Sequence, residues 1–197
     1  MFVKICGLTD REAIDAAIEA GADALGFVFA PSPREIAPAR ARELCRDIPE
    51  HLIRVAVMHH PRPDHVASVI ERFAPDWIQS DAEDFAGLPV PTGTEALPVY
   101  RDGGMPDANG LPPRLLFEGR VSGSGTTADW EAAQRIAQES ELILAGGLDA
   151  NNVAAAIAYV RPFGVDVSSG VEIERGKKDV RRIREFVARV RALEIDP

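Results

Sequence analysis

The residues able to do chemistry in this chain gather where short apolar runs end. The first group is Lys4-Ile5-Cys6-Gly7. In an extended strand, residues two apart project on the same side, so Lys4 stands beside Cys6. An ammonium next to a thiol lowers the thiol's pKa and yields a thiolate able to abstract a proton. A free cysteine is equally suited to be a small buried hydrophobe, and Cys45, in a helical stretch, reads that way. Near the far end come Ala145-Gly146-Gly147-Leu148-Asp149 and Val165-Asp166-Val167-Ser168-Ser169-Gly170-Val171-Glu172. Glycine lets backbone N–H groups approach a ligand closely, and two such loops in succession suit a phosphate.

Three further stretches carry weaker signals. Val121-Ser122-Gly123-Ser124-Gly125-Thr126-Thr127 reads as a flexible loop leading to Asp129, a helix cap. Glu118, just upstream, becomes a candidate general acid if Cys6 is its partner across a site. Arg34, in Pro31-Ser32-Pro33-Arg34, offers a guanidinium suited to bidentate carboxylate binding. Two cysteines do not make a disulfide framework. His59-His60 is the nearest approach to a ligand pair and no Cys-x-x-Cys occurs, so no metal is expected.

Something must bring these distant groups together. Apolar runs at 2–5, 24–29, 52–57, 77–78, 97–100, 115–117, 142–145 and 164–167 lack strict alternation, as strands buried on both faces do. Helical patterns lie between them. Thr9 or Asp10 opens the first, with Gly21 past its end; Asp64, Asp129, Asp149 or Asn151, and Asp179 open others. Eight units of about 25 residues predict a small (β/α)₈ barrel, in which functional groups sit at the C-terminal strand ends. The breakers Gly103, Gly104, Pro106, Gly110, Pro112 and Pro113 predict a loop in place of the fifth helix. A doubly wound open sheet is the competing architecture. Its dinucleotide-binding form is weakened because no Gly-x-Gly-x-x-Gly turn follows the first strand.

Composition sets the limits. With 197 residues, 46% of them hydrophobic, the chain reads as one domain, 1–197, and not as a disordered one. A net charge of −9 speaks against nucleic acid, so an anionic ligand must be met by local features. No window approaches the roughly 18 apolar residues of a membrane span, and the apolar N-terminus is too short for a signal peptide. A cytoplasmic protein is expected. No heptad seam stands out, which leaves monomer and homodimer open.

Taken together, these motifs resemble one family, phosphoribosylanthranilate isomerase of tryptophan biosynthesis. The resemblance rests on Lys4-Ile5-Cys6-Gly7-Leu8-Thr9, on Gly21 through Phe29 with Ser32-Pro33-Arg34, and on Ser122-Gly123-Ser124-Gly125 with Asp129-Trp130. It continues through Leu144 to Leu148, Asn152-Val153, Val165 to Glu172 and Gly176-Lys177-Lys178-Asp179, all in family order. It implies a (β/α)₈ barrel that converts the aminoaldose N-(5-phosphoribosyl)anthranilate to an aminoketose without cofactor or metal. Carried over, Cys6 is the general base and an acid at the end of strand six opens the sugar. Arg34 holds the anthranilate carboxylate, and the backbone around Gly146, Gly147, Ser168, Ser169 and Gly170 binds the phosphate, with Asp166 beside them.

Two positions depart from the family pattern. The family's acid is an aspartate after a Leu-Leu pair; counted without a gap, Phe117 takes its place and alternation turns Glu118 away. A one-residue bulge is then expected to bring Glu118 in, with Asp166 as the alternative acid. The family's Gln-Leu-His reads Gln79-Ser80-Asp81, which replaces an imidazole by a carboxylate near an anionic substrate. The competing reading is a diverged paralogue that binds a phosphorylated ligand with altered substrate or no turnover. The related histidine-pathway isomerase expects acidic residues in place of Cys6 and a second phosphate half.

Overall fold

The computed structural model of the chain describes residues 1–104, 110–119 and 128–193. Eight parallel strands close into a barrel: β1 (Phe2–Cys6), β2 (Ala24–Val28), β3 (Ile53–Val57), β4 (Trp77–Asp81), β5 (Glu95–Arg101), β6 (Arg114–Glu118), β7 (Glu141–Leu144) and β8 (Gly164–Val167). β8 returns to pair with β1, so no edge remains and the open-sheet alternative falls. All eight apolar runs are strands, with ends shifted by a few residues; the fourth continues past Ile78 into polar residues.

Each strand has two buried faces. Its outward residues, among them Ile5, Phe27, Ile78, Phe117 and Val165, pack with the helices into the larger apolar cluster. Its inward residues, among them Ala24, Val55, Trp77, Leu97, Leu116 and Ile143, fill the barrel. This double burial is why the strands read as continuous apolar runs. Phe2 stacks on Trp77 at 5.4 Å between ring centroids and on Phe163 at 5.6 Å, which packs the end opposite the strand C-termini with aromatic rings.

The helices are α1 (Arg11–Ala20), α2 (Pro38–Leu44), α3 (Pro63–Phe73), α4 (Trp130–Ala137), α5 (Val153–Val160) and α6 (Val180–Ala192). Asp10, Asp129 and Asp179 cap α1, α4 and α6 by accepting backbone N–H bonds of the first turn. Gly21, at φ +89°, closes α1 in the left-handed conformation that suits glycine. Two cap expectations need correcting. Pro63 opens α3 from an Arg62 cap, so Asp64 lies within the first turn. α5 starts after Asn152, while Asp149 instead accepts the N–H groups of Asn151 and Asn152 in the preceding turn.

Between β5 and β6 no α-helix occurs among the described residues, in line with the breakers there. The fourth unit is also reduced, to a 3₁₀ turn over Ala82–Ala86. After β8, a 3₁₀ turn (Ser169–Val171) leads to a small hairpin of β9 (Glu172–Glu174) and β10 (Lys177–Lys178) before α6. No helix among the described residues is long and apolar enough to cross a membrane.

Candidate active site

Alternation carries the inward face of each strand to the C-terminal mouth, and there it turns polar. Phe2 is followed inward by Lys4 and Cys6, Trp77 by Gln79 and Asp81, Val99 by Arg101, and Leu116 by Glu118. Cys6, Gln79, Asp81, Arg101, Glu118, Asp166 and Ser168 all line one cavity of about 920 Å³. The strand register then decides who meets whom. Lys4 sits opposite Asp166, Cys6 opposite Gly26, and Arg101 opposite Glu118.

Glu118 therefore enters the cavity by plain alternation. Phe117 points outward into the helix layer with no exposed surface, and neither β5–β6 nor β6–β7 pairing contains a register shift. The expected bulge is absent, and the gapless count that placed Phe117 at the acid's position is wrong. Glu118 is 8% exposed and its Oε1 lies 3.0 Å from Arg101 Nη2. The other arm of Arg101, Nη1, pairs with Asp81 Oδ1. Asp81 Oδ2 faces two imidazoles, with His59 Nδ1 at 2.8 Å and His60 Nε2 at 3.3 Å. The unexpected carboxylate at the end of strand four is thus matched by surrounding cationic and polar groups.

Across the mouth, Lys4 is fully buried and donates from Nζ to Asp166 Oδ1 at 2.7 Å. Room for this pair beside Cys6 depends on Gly26. A Cβ there would lie 3.1 Å from both the Cys6 Cα and Sγ and 3.3 Å from Lys4 Cε. The lowered thiol pKa expected from the Lys4 neighbour is overturned. Burial pushes the Cys6 thiol up, and Lys4 and Lys178, which pull it down, do not offset that cost.

Arg34 comes in over Gly7, whose φ of +77° and missing Cβ leave space for the Arg34 Cδ. Its Nε and Nη2 donate to Glu172 Oε1 and Oε2 at 2.6 and 3.0 Å, a bidentate pair that leaves Nη1 for the cavity it lines. Glu172 also accepts from Lys178 Nζ at 2.8 Å and Gly176 N at 3.1 Å. Together these donors outweigh burial and hold its carboxyl down to about 2. Lys178 Nζ also donates to the Ser168 backbone oxygen and hydroxyl. Burial of the ammonium pulls Lys178 below the ordinary lysine value.

The loops after β7 and β8 close the ring between these halves. Gly146, Gly147, Ser168 and Ser169 line the cavity. Among the described residues, the backbone N–H groups of Gly146, Gly147, Ser169 and Gly170 donate to no other protein group. Gly146 and Gly147 adopt φ of +85° and +65°. Gly170 does not line the cavity; it packs so tightly that a Cβ would lie 2.0 Å from the Leu148 carbonyl oxygen. Gln79 contributes a buried carboxamide oxygen with no hydrogen-bond partner among the described residues.

Of the residues expected from the sequence, Cys6, Arg34, Glu118, Gly146, Gly147, Asp166, Ser168 and Ser169 therefore meet at one cavity. Arg101, the place of the His59-His60 pair at this cavity, and the anchoring roles of Glu172 and Lys178 were not expected; Arg101 and Arg34 reach partners 20 and 138 residues away, whereas Lys178 lies only six from Glu172. The loop 121–127 falls outside the described residues, apart from its neighbours Ala128 and Asp129.

Comparison with known proteins agrees with this geometry. The sequence profile of a family described as N-(5'phosphoribosyl)anthranilate (PRA) isomerase matches residues 3–87 and 103–189. An N-(5'-phosphoribosyl)anthranilate isomerase from Desulforamulus reducens is 39% identical, covering 96% of this chain and 94% of its own. Among solved structures, the enzyme of that name from Thermus thermophilus superposes with a TM-score of 0.86 at 31% identity, over 98% of this chain and 100% of that one. Another, in complex with reduced 1-(o-carboxyphenylamino)-1-deoxyribulose 5-phosphate, gives 0.80 at 30% identity over 98% and 99%. A profile spanning most of the sequence and a relative at this identity leave one conclusion: the chain belongs to the N-(5'-phosphoribosyl)anthranilate isomerase family.

Proposed function

We propose that this single-domain barrel isomerises N-(5'-phosphoribosyl)anthranilate to 1-(2-carboxyphenylamino)-1-deoxyribulose 5-phosphate, with Cys6 as general base and Glu118 as general acid. The observation that carries this reading is the placement of the two groups. Both are buried, both face one cavity, and on the ring of strands β1 and β6 flank β8 and β7, whose loops offer unspent N–H groups.

The reaction is a redox-neutral rearrangement. Glu118 donates a proton to the ring oxygen as the bond from that oxygen to C1 breaks, and the nitrogen lone pair forms the C=N bond. The Cys6 thiolate then takes the C2 proton, and the electron pair moves into a C1=C2 bond while nitrogen regains its pair. Proton transfer to C1 and from the C2 hydroxyl leaves the ketone. The phosphate sits on the N–H groups of Gly146, Gly147 and Ser169, where backbone donors suit an anion, while Gly170 lets their loops pack closely. Arg34, fixed by Glu172, turns Nη1 to the anthranilate carboxylate, and the unpartnered Gln79 oxygen accepts from a sugar hydroxyl. Lys4 and Asp166 hold the thiol's surroundings in place.

The anthranilate ring gives a fluorescence readout of turnover. Cys6→Ser and Glu118→Gln are each expected to lower kcat by about 10²- to 10⁴-fold, the span of general acid–base catalysis. Wild-type turnover by Cys6→Ala would remove the thiol from the mechanism, and a near-wild-type Glu118→Gln would move the acid's role to Asp166. A wild-type chain that binds the phosphorylated ligand without turnover would establish the paralogue reading instead.

A further inference from the structure

The cluster at the ends of β3 and β4 has a use that isomerisation does not require. One ring nitrogen each of His59 and His60 and a carboxylate oxygen of Asp81 all lie within 4.8 Å of one another. We infer that His59, His60 and Asp81 form a binding site for a divalent transition-metal ion of the zinc class, with an open position toward the cavity.

A tetrahedral zinc with bonds of about 2.0–2.2 Å holds its ligand atoms roughly 3.3 Å apart. The observed separations from Asp81 Oδ2 are 2.8 Å to His59 Nδ1 and 3.3 Å to His60 Nε2. The third separation, between the two imidazole nitrogens, lies within 4.8 Å. Two imidazoles and one carboxylate suit zinc, cobalt, nickel or copper(II), whereas calcium and magnesium prefer all-oxygen sets.

The ligands are also supported from behind. Ligating histidines in metal sites donate from their other ring nitrogen to a carboxylate, and ligating carboxylates are themselves hydrogen-bonded. Both devices are present. His60 turns Nδ1 to Asp84 Oδ1 at 2.9 Å while Nε2 faces Asp81. Asp84 is held by the Ser80 hydroxyl at 2.5 Å and by the His60 backbone N–H at 3.2 Å. Asp81 gives Oδ1 to Arg101 and keeps Oδ2 for the histidines. His60 reaches this orientation in the left-handed region, at φ +44°, which non-glycine residues rarely adopt. Asp81 is 4% exposed, so the anionic ligand is preplaced, while the half-exposed histidines give the ion a way in.

The test is a cobalt(II) titration of tag-free, chelator-treated protein, followed by the visible d–d absorption, with zinc as displacing competitor. The expected result is one saturable ion per chain, displaced by zinc. Binding falls at least 100-fold in His60→Ala and in Asp81→Asn, and about 10- to 100-fold in Asp84→Asn, the usual cost of losing such support. Cys6→Ser binds as wild type does. Circular dichroism on each variant separates loss of ligand from loss of fold, and the exposed His59→Ala repeats the test if Asp81→Asn unfolds. Absence of saturable binding overturns the site. So does binding that survives His60→Ala, or that is lost in Cys6→Ser, because the ion then sits on the thiol or elsewhere. The readout needs no turnover and stands apart from the isomerase assignment.

Discussion

The two sides of the mouth are built on different principles. On the side of β8, β1 and β2, the charged groups nearest Cys6 and Arg34 are sunk and cross-linked: Lys4 to Asp166, Arg34 and Lys178 to Glu172. Glycines at 7, 26 and 170 let backbone and side chains approach where a Cβ would collide. On the side of β4, β5 and β6, Arg101 is a quarter exposed and divides itself between two carboxylates, and His59 and His60 stand largely in solvent. The loops differ likewise, since β4 is followed only by a 3₁₀ turn. The first side holds the proposed base and phosphate loops in one geometry. The second holds the proposed acid in a network whose members can be exchanged with less damage to the fold.

The largest expected contrast is in stability. Glu172→Gln removes the charge that neutralises both Arg34 and Lys178, so an equilibrium denaturant titration should show a loss of about 3–5 kcal/mol, as for other broken buried pairs. Acid should act through the same residue. Its folded pKa lies below the unfolded one, so its contribution is present above about pH 4.5 and is lost as pH falls toward about 2. The Glu172→Gln variant should lack that acid-dependent drop. If Asp81→Asn costs as much stability as Glu172→Gln, the contrast between the sides is gone.

Next in size is the packing around the thiol. Gly26→Ala places a methyl within 3.1 Å of Cys6 Sγ, and the neighbours must give by a few tenths of an ångström. The expected result is a fall in kcat on the order of 10- to 100-fold with KM changed little, since misplacement of a reacting group is felt mainly in the chemical step. A wild-type kcat for this variant would mean the Cys6 side tolerates movement. The titration of the thiol gives a companion readout. Burial raises the Cys6 pKa, and the base works as thiolate, so kcat/KM should climb with pH through a value above the ordinary thiol range. An acidic limb centred near neutrality would contradict that.

What sequence could convey about the two sides also differed. The strands were legible because burial on both faces of a parallel sheet leaves an unbroken apolar run. The Asp10, Asp129 and Asp179 caps were legible because a cap bond closes within three residues. Cys6 with Lys4 follows from strand alternation alone. The direction of the thiol's shift was not legible, because it is set by burial from eight strands and not by the neighbour two residues away. Glu118 was expected in the site, but through a bulge, because the count ran from a family pattern instead of from Leu116, its inward neighbour on β6. The Asp81–Arg101–Glu118 chain could not be read at all, since it depends on inter-strand register and on side chains 17 to 20 residues apart.

That chain gives the smallest and most discriminating effect. Asp81 and Glu118 compete for one guanidinium. Asp81→Asn leaves Arg101 to Glu118 alone, which favours the carboxylate over the protonated acid. A group serving as general acid then loses its proton at lower pH, so the alkaline limb of the kcat profile should move down by up to about one unit. At neutral pH this amounts to roughly a three- to tenfold loss in kcat, far below that of Glu118→Gln. Arg101→Lys separates charge from geometry: an ammonium cannot span both carboxylates as the planar fork does, so the profile should shift in the same direction as in Asp81→Asn only if lysine settles on Glu118. A profile unchanged in both variants would show that Glu118 works independently of Arg101, and that the looser side of the mouth contributes its acid without the network that surrounds it.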